Sequence, residues 1–96
     1  MQQTIDYLKK LTSIPSPTGF TREVVDYLVE EVERLGYTAI RTNKGGVNVI
    51  VKGKDDSKHR VVTAHVDTLG AMVRAVKGDG RLKMAKIGGY PWNMIE

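Results

Sequence analysis

One short stretch constrains this chain more than any other: Arg60-Val61-Val62-Thr63-Ala64-His65-Val66-Asp67, a nearly continuous apolar run that closes on a His-x-Asp. A half-exposed strand would alternate apolar with polar residues, so this run reads as a strand buried on both faces. Burial on both faces needs a layer above and a layer below, and 96 residues offer little to supply both. Either the run belongs to a larger domain, or it leaves apolar surface that favours association or instability.

The segments around it follow simpler patterns. In residues 2–11, Ile5, Leu8 and Leu11 recur at near-helical spacing with Asp6, Lys9 and Lys10 on the wet side, which predicts a short amphipathic helix ending before Pro15. Ser13-Ile14-Pro15-Ser16-Pro17-Thr18-Gly19 is dense in turn formers, and each proline pushes the residue before it out of the helical region. A loop of fixed shape is expected there. A second helix follows, capped by Thr18 or Thr21, with Val24, Val25, Leu28, Val29, Val32 and Leu35 on one face and Gly36 as its left-handed stop. The period then becomes alternating. Residues 37–41 and 47–51 read as strands about a turn at 42–46, and 53–58 as an exposed connection to the apolar run. Residues 70–76 and 81–87 read as a hairpin about Lys77-Gly78-Asp79-Gly80. The tail, 88–96, reads as a loop whose aromatic and apolar cluster has nowhere to be buried, as if a larger domain were cut there.

Composition narrows the function classes. Hydrophobic residues make up 41% and charged residues 27%, the balance of a folded protein and too apolar for a disordered tail. The net charge of +4 comes from Lys and Arg interleaved with acids, and the single Phe and four Tyr line up with no basic cluster, which argues against nucleic acid as a partner. No apolar run approaches the ~18 residues of a membrane span and no secretory segment opens the chain, so a cytoplasmic protein without a membrane partner is expected. With no cysteine, any transition-metal site must be built from His and carboxylates.

Only two histidines are present. Alternate side chains of a strand share a face, so His65 and Asp67 should project together, with Ala64 and Val66 on the other side. A metal-ligating His is commonly oriented by a carboxylate that fixes its tautomer and raises its basicity. Taken alone, a His-x-Asp is more often a neutral histidine satisfied by a backbone carbonyl. Asp55-Asp56 and the helix acids read as solvated surface, not as the paired carboxylates of a glycosidase.

The combination of Ser13-Ile14-Pro15-Ser16-Pro17-Thr18-Gly19, Ala64-His65-Val66-Asp67-Thr68-Leu69-Gly70-Ala71-Met72-Val73 and Ile87-Gly88-Gly89 resembles the M42 family of metallo-aminopeptidases over essentially the whole chain. His-x-Asp marks only the broad clan of two-metal peptidases and deacylases. The glycine at position 70, the hairpin and the Ile-Gly-Gly narrow it to M42. Many members have Glu where Thr68 stands, at a position that ligates no metal. The resemblance implies an α/β fold: residues 1–69 as the N-terminal part of a phosphorylase/hydrolase-like zinc-peptidase domain, two helices plus mixed sheet, and 70–96 as the beginning of an inserted small β domain. It implies that His65 ligates one of two divalent metals per active site, zinc or alternatively cobalt or manganese, and that Asp67 supports it from behind. The remaining ligands and the general-base Glu lie far downstream in the family. The intact enzyme is expected to be a homo-oligomer acting on peptides, and these 96 residues alone to be inactive. Two alternatives stay open: a piece of a related deacylase or carboxypeptidase, and a non-catalytic assembly module with a structural histidine.

Overall fold

The computed structural model describes residues 1–55 and 57–94. Two helices, α1 (Gln2–Ser13) and α2 (Arg22–Arg34), flank the proline-rich loop as the spacing predicts. α2 organises the packing. Val24 and Val25 are buried, Leu28, Val29 and Val32 half-buried, and Leu35 at the far end exposed. The helix stops at Gly36 (φ 86°), where Tyr37 N donates to Val32 O at 3.1 Å and Gly36 N to Glu33 O at 2.9 Å, a Schellman ending.

α1 departs from its expected apolar face. Of Ile5, Leu8 and Leu11, only Leu11 packs on the core, and the other two are exposed. Polar contacts hold the helix instead. Tyr7 donates its hydroxyl to Glu31 Oε2 at 3.1 Å and accepts from Arg34 Nη2 at 3.0 Å, while Lys10 Nζ lies 5.6 Å from the centre of the Tyr27 ring.

The alternating segments form two separate antiparallel hairpins. β1 (Ala39–Arg41) pairs with β2 (Val47–Val49), each shorter than the sequence suggests, and an Arg41–Asp26 ion pair of 2.6 Å ties β1 to α2. β3 (Gly70–Val76) pairs with β4 (Leu82–Ile87) with a register shift between Val73 and Ala75. Beyond β4 the tail is less loose than its composition implies. Tyr90 is buried with its hydroxyl donated to Gly70 O, Lys86 Nζ donates to Tyr90 O at 2.8 Å and lies 5.4 Å from the Trp92 ring, and Trp92–Met94 forms a 3-10 turn. The tail's last two residues, Ile95 and Glu96, and the Asp56 of the acidic pair fall outside the described residues.

The largest correction concerns the apolar run. Residues 60–67 form no ladder, Val61 is 83% and Val62 95% exposed, and the mixed sheet reduces to two antiparallel pairs plus one parallel bridge, Pro17 to Thr68. The physical reason is the shortage of partners: a strand is defined by its neighbours' hydrogen bonds, and among the described residues none pairs with Val61 or Val62. The consequence is visible in the bulk dimensions. The radius of gyration is 17.7 Å, against about 13 Å for a compact domain of this size. The accessible surface is 8514 Å², where roughly 5,500 Å² would suit a compact monomer of this mass. The two helices and two small sheets give an α/β chain centred on Ile14, Val24 and Val25, with Leu11, Tyr27, Val47 and Val66 packed around them. Among the described residues no helix is long and apolar enough to cross a membrane.

Candidate functional site

The proline-rich loop and the His-x-Asp segment meet side by side. Ser16, fully buried, donates its hydroxyl to Val66 O at 2.8 Å and accepts at its own carbonyl from Thr68 N at 2.9 Å. This contact supplies part of what a neighbouring strand would. Gly70 closes the junction: a Cβ there would collide with the Pro17 ring, so the glycine expected from the motif is required by the loop's close approach.

Val66 turns inward onto the core of Ile14, Val24 and Val25, which sends the residues on either side outward. His65 and Asp67 do project together, as the spacing predicts. The His65 Nδ1 lies 2.8 Å from Asp67 Oδ1 and 3.1 Å from Asp67 O, and the imidazole is otherwise open to solvent. Asp67 is held at its other oxygen as well, where Thr18 Oγ1 donates at 2.8 Å. Thr18 occupies the second position of a tight turn in which Phe20 N donates to Pro17 O at 2.8 Å, and Gly19, at φ 88°, fills the third, as a type II turn demands.

These contacts decide the protonation pattern. The Thr18 hydroxyl, then the His65 ring, hold the Asp67 carboxyl below its ordinary range against a small opposing effect of burial. An ionised carboxylate only accepts, so the network assigns the shared proton to Nδ1 and leaves the Nε2 lone pair facing solvent. That is the tautomer a metal-ligating histidine needs. Neither helix cap predicted from sequence is realised by a side chain: Thr21 stands at the N-cap without a side-chain bond, and the Thr18 hydroxyl serves Asp67. Ser16 and Thr18 are the site residues that the sequence reading missed. The available signal was two hydroxyl residues, each directly after a proline, in a loop already expected to be rigid.

An open hollow of about 310 Å³ adjoins His65 and Asp67, walled by Val25 and Leu28 of α2 and by the β1–β2 turn at Lys44. A second, of about 320 Å³, lies between α1 and α2, away from His65, and is lined by Tyr7, Lys10, Tyr27, Glu31 and Arg34, which already engage one another. Among the described residues no group of three or more His, Asp or Glu side chains gathers that could hold a metal ion. His65 fits a divalent ion as one ligand, where a catalytic zinc needs about three from protein.

The chain is similar to several known proteins. YhfE of Bacillus subtilis (strain 168), a protein that carries an aminopeptidase name, is 48% identical over 96 residues, all of this chain and 28% of its own length. The glutamyl aminopeptidase of Lactococcus lactis subsp. cremoris is 36% identical over 94 residues, covering 97% of this chain and 26% of that protein. A protein of Thermococcus kodakarensis named as a LysW-lysine/LysW-ornithine hydrolase is 32% identical over 81 residues, 84% of this chain and 23% of that one. The chain therefore spans about a quarter of the length of these relatives. The profile of the M42 glutamyl aminopeptidase family matches residues 45–96, more than half of the chain and inclusive of His65, Asp67 and both strands of the second hairpin, and the chain belongs to that family.

Proposed function

We propose that this chain is the N-terminal part of a two-metal aminopeptidase, that His65 is one of its metal ligands, and that Asp67 orients that ligand. The observation that carries the reading is the His65 ring itself, fixed through Nδ1 by an ionised carboxylate and presenting Nε2 outward. When bound, a metal pair of this kind polarises a peptide carbonyl and supplies an activated water. The work of this chain's own residues is to hold the donor in place: Val66 anchors the segment in the core, Ser16 fixes its backbone, and Asp67 retains the proton on Nδ1. Family membership and the aminopeptidase names of the relatives support peptides with a free N-terminal amine as substrates. On this reading the intact protein is a cytoplasmic homo-oligomer that uses zinc, cobalt or manganese, residues 70–96 open an inserted β domain, and the 96 residues alone bind metal weakly and cleave nothing.

A second reading has its own support. The Thermococcus relative carries the name of a hydrolase acting on LysW-linked lysine or ornithine, so a deacylase-like substrate is the competing possibility. The test is an assay of the complete polypeptide, stripped of metal and reloaded with zinc, on aminoacyl anilides and on their N-acylated counterparts. Cleavage of the free-amine substrates that disappears in His65→Ala supports the aminopeptidase. Cleavage confined to acylated substrates establishes the second reading. Full activity in His65→Ala sinks both.

A further inference from the structure

We infer that Thr18 is a positioning residue for the His65 metal ligand, acting through Asp67; the inference rests on the proposed role of His65. Asp67 is caught between two partners, one per oxygen: His65 Nδ1 at 2.8 Å on Oδ1 and Thr18 Oγ1 at 2.8 Å on Oδ2. The torsion that turns a carboxylate about its own axis is broad and soft, so a single hydrogen bond leaves the group free to swing. Two bonds on opposite oxygens fix its plane, and with it the direction from which Nδ1 is held.

Thr18 is equipped for this. Its branched side chain has few χ1 choices, and its backbone is locked in the Pro17-to-Phe20 turn. That turn is in turn bound to the segment it serves, by the Pro17–Thr68 bridge, the Thr68 N to Ser16 O bond and the Ser16 hydroxyl on Val66 O. Donor and acceptor therefore belong to one small rigid unit although 49 positions separate them in sequence. A hydroxyl bond on an exposed carboxylate competes with water, so the expected effect is graded and not all-or-none.

The experiment reads the His65 ring in the metal-free full-length protein, by nitrogen-15 imidazole spectra at a pH where the ring is neutral, in parallel with zinc affinity. Thr18→Val, which keeps the shape and removes the hydroxyl, should convert a spectrum dominated by the Nδ1-protonated tautomer into a mixture. It should also weaken zinc binding by roughly tenfold or less, a smaller effect than loss of the adjoining carboxylate. Thr18→Ser should restore both. In an Asp67→Asn background Thr18→Val should change nothing further, since the hydroxyl acts through the carboxylate. An unchanged tautomer in Thr18→Val overturns the inference, and so does an equal loss in the Asp67→Asn background. If Thr18→Val fails to fold, and a Thr18→Ala variant made in its place fails as well while Thr18→Ser folds, Thr18 is a structural residue of the loop and the inference is wrong. If the tautomer shifts as expected but the parent protein binds no zinc, the positioning holds and the aminopeptidase reading falls.

Discussion

Val24 and Val62 are the same residue in two segments of comparable apolar content, yet one is fully buried and the other 95% exposed. Val24 lies on a helix, which satisfies its own backbone hydrogen bonds and needs only a surface to lie against. Ile14, Val25 and Val66 provide that surface. Val62 lies in a segment with no regular backbone hydrogen bonding, and a strand there would need neighbouring strands to meet its backbone groups. Apolar character drives burial only where a partner is within reach, and an extended run depends on partners far more than a helix does.

The comparison can be broken most sharply by placing a charge at each position. Val24→Asp puts a carboxylate without a partner into a fully buried apolar site and should cost about 4 kcal/mol or more. Val62→Asp should change stability by about 0.5 kcal/mol or less. Urea unfolding followed by far-ultraviolet circular dichroism separates the two. Equal effects would mean that the 60–64 segment is covered in solution.

A second prediction addresses why the run is held at its far end, where Val66 O and the adjoining Thr68 N bond to Ser16, and not at 61–62. Gly70→Ala drives a methyl into the Pro17 ring and should cost about 2 kcal/mol, within the usual range for overpacking. The Thr68 amide, donated to Ser16 O, should lose hydrogen-exchange protection in the same variant, while the β1–β2 amides keep theirs. Unaltered Thr68 protection would show that the loop and the His-x-Asp segment do not depend on this junction.

The contrast also explains what was legible beforehand. Both helices, both hairpins and the pairing of His65 with Asp67 follow from local rules: a 3.6-residue stripe, turn residues at fixed offsets, and the alternation of side chains along extended backbone. The strand expected at 60–67 is absent because the period-2 and continuous-run rules describe a residue's preference for burial, not the presence of the neighbours that deliver it. The exposed Ile5 and Leu8 repeat the lesson on a helix, since the face exists and only its Leu11 end meets the core. Ser16 and Thr18 were illegible for another reason. Their partners, Val66 and Asp67, are 50 and 49 positions away, a distance that no periodicity spans.

A smaller prediction concerns that loop. Ser16→Ala removes the hydroxyl on Val66 O and should cost about 1 kcal/mol, the net value of one hydrogen bond. The loss should fall on residues 66–68 in hydrogen exchange and leave α1 untouched. A loss spread evenly over the chain would mean that loop and helices unfold as one unit.

The smallest effect is expected where packing contributes least, at the docking of α1. The Arg34 guanidinium, bonded to Glu31 Oε2 at 2.7 and 3.0 Å, holds the Glu31 carboxyl below its ordinary range; partial burial opposes this, and the Tyr7 hydroxyl adds to it. Because the folded pKa lies below the unfolded one, the contribution to stability is fully present above the unfolded carboxylate value and is lost as pH falls through the lowered folded value. Acidification should therefore loosen α1, seen as Tyr7 ring resonances moving toward solvent-exposed positions, before the core around Val24 responds. In Glu31→Gln the same movement should be present already at neutral pH and should no longer depend on acid. Asp67 is also held low by its partners, so acid acts on the loop too, and only the Glu31→Gln comparison isolates the helix. If the Tyr7 resonances in that variant still shift with acid as in the parent, α1 is docked by Leu11 and not by its polar contacts, and the two helices differ less than their burial suggests.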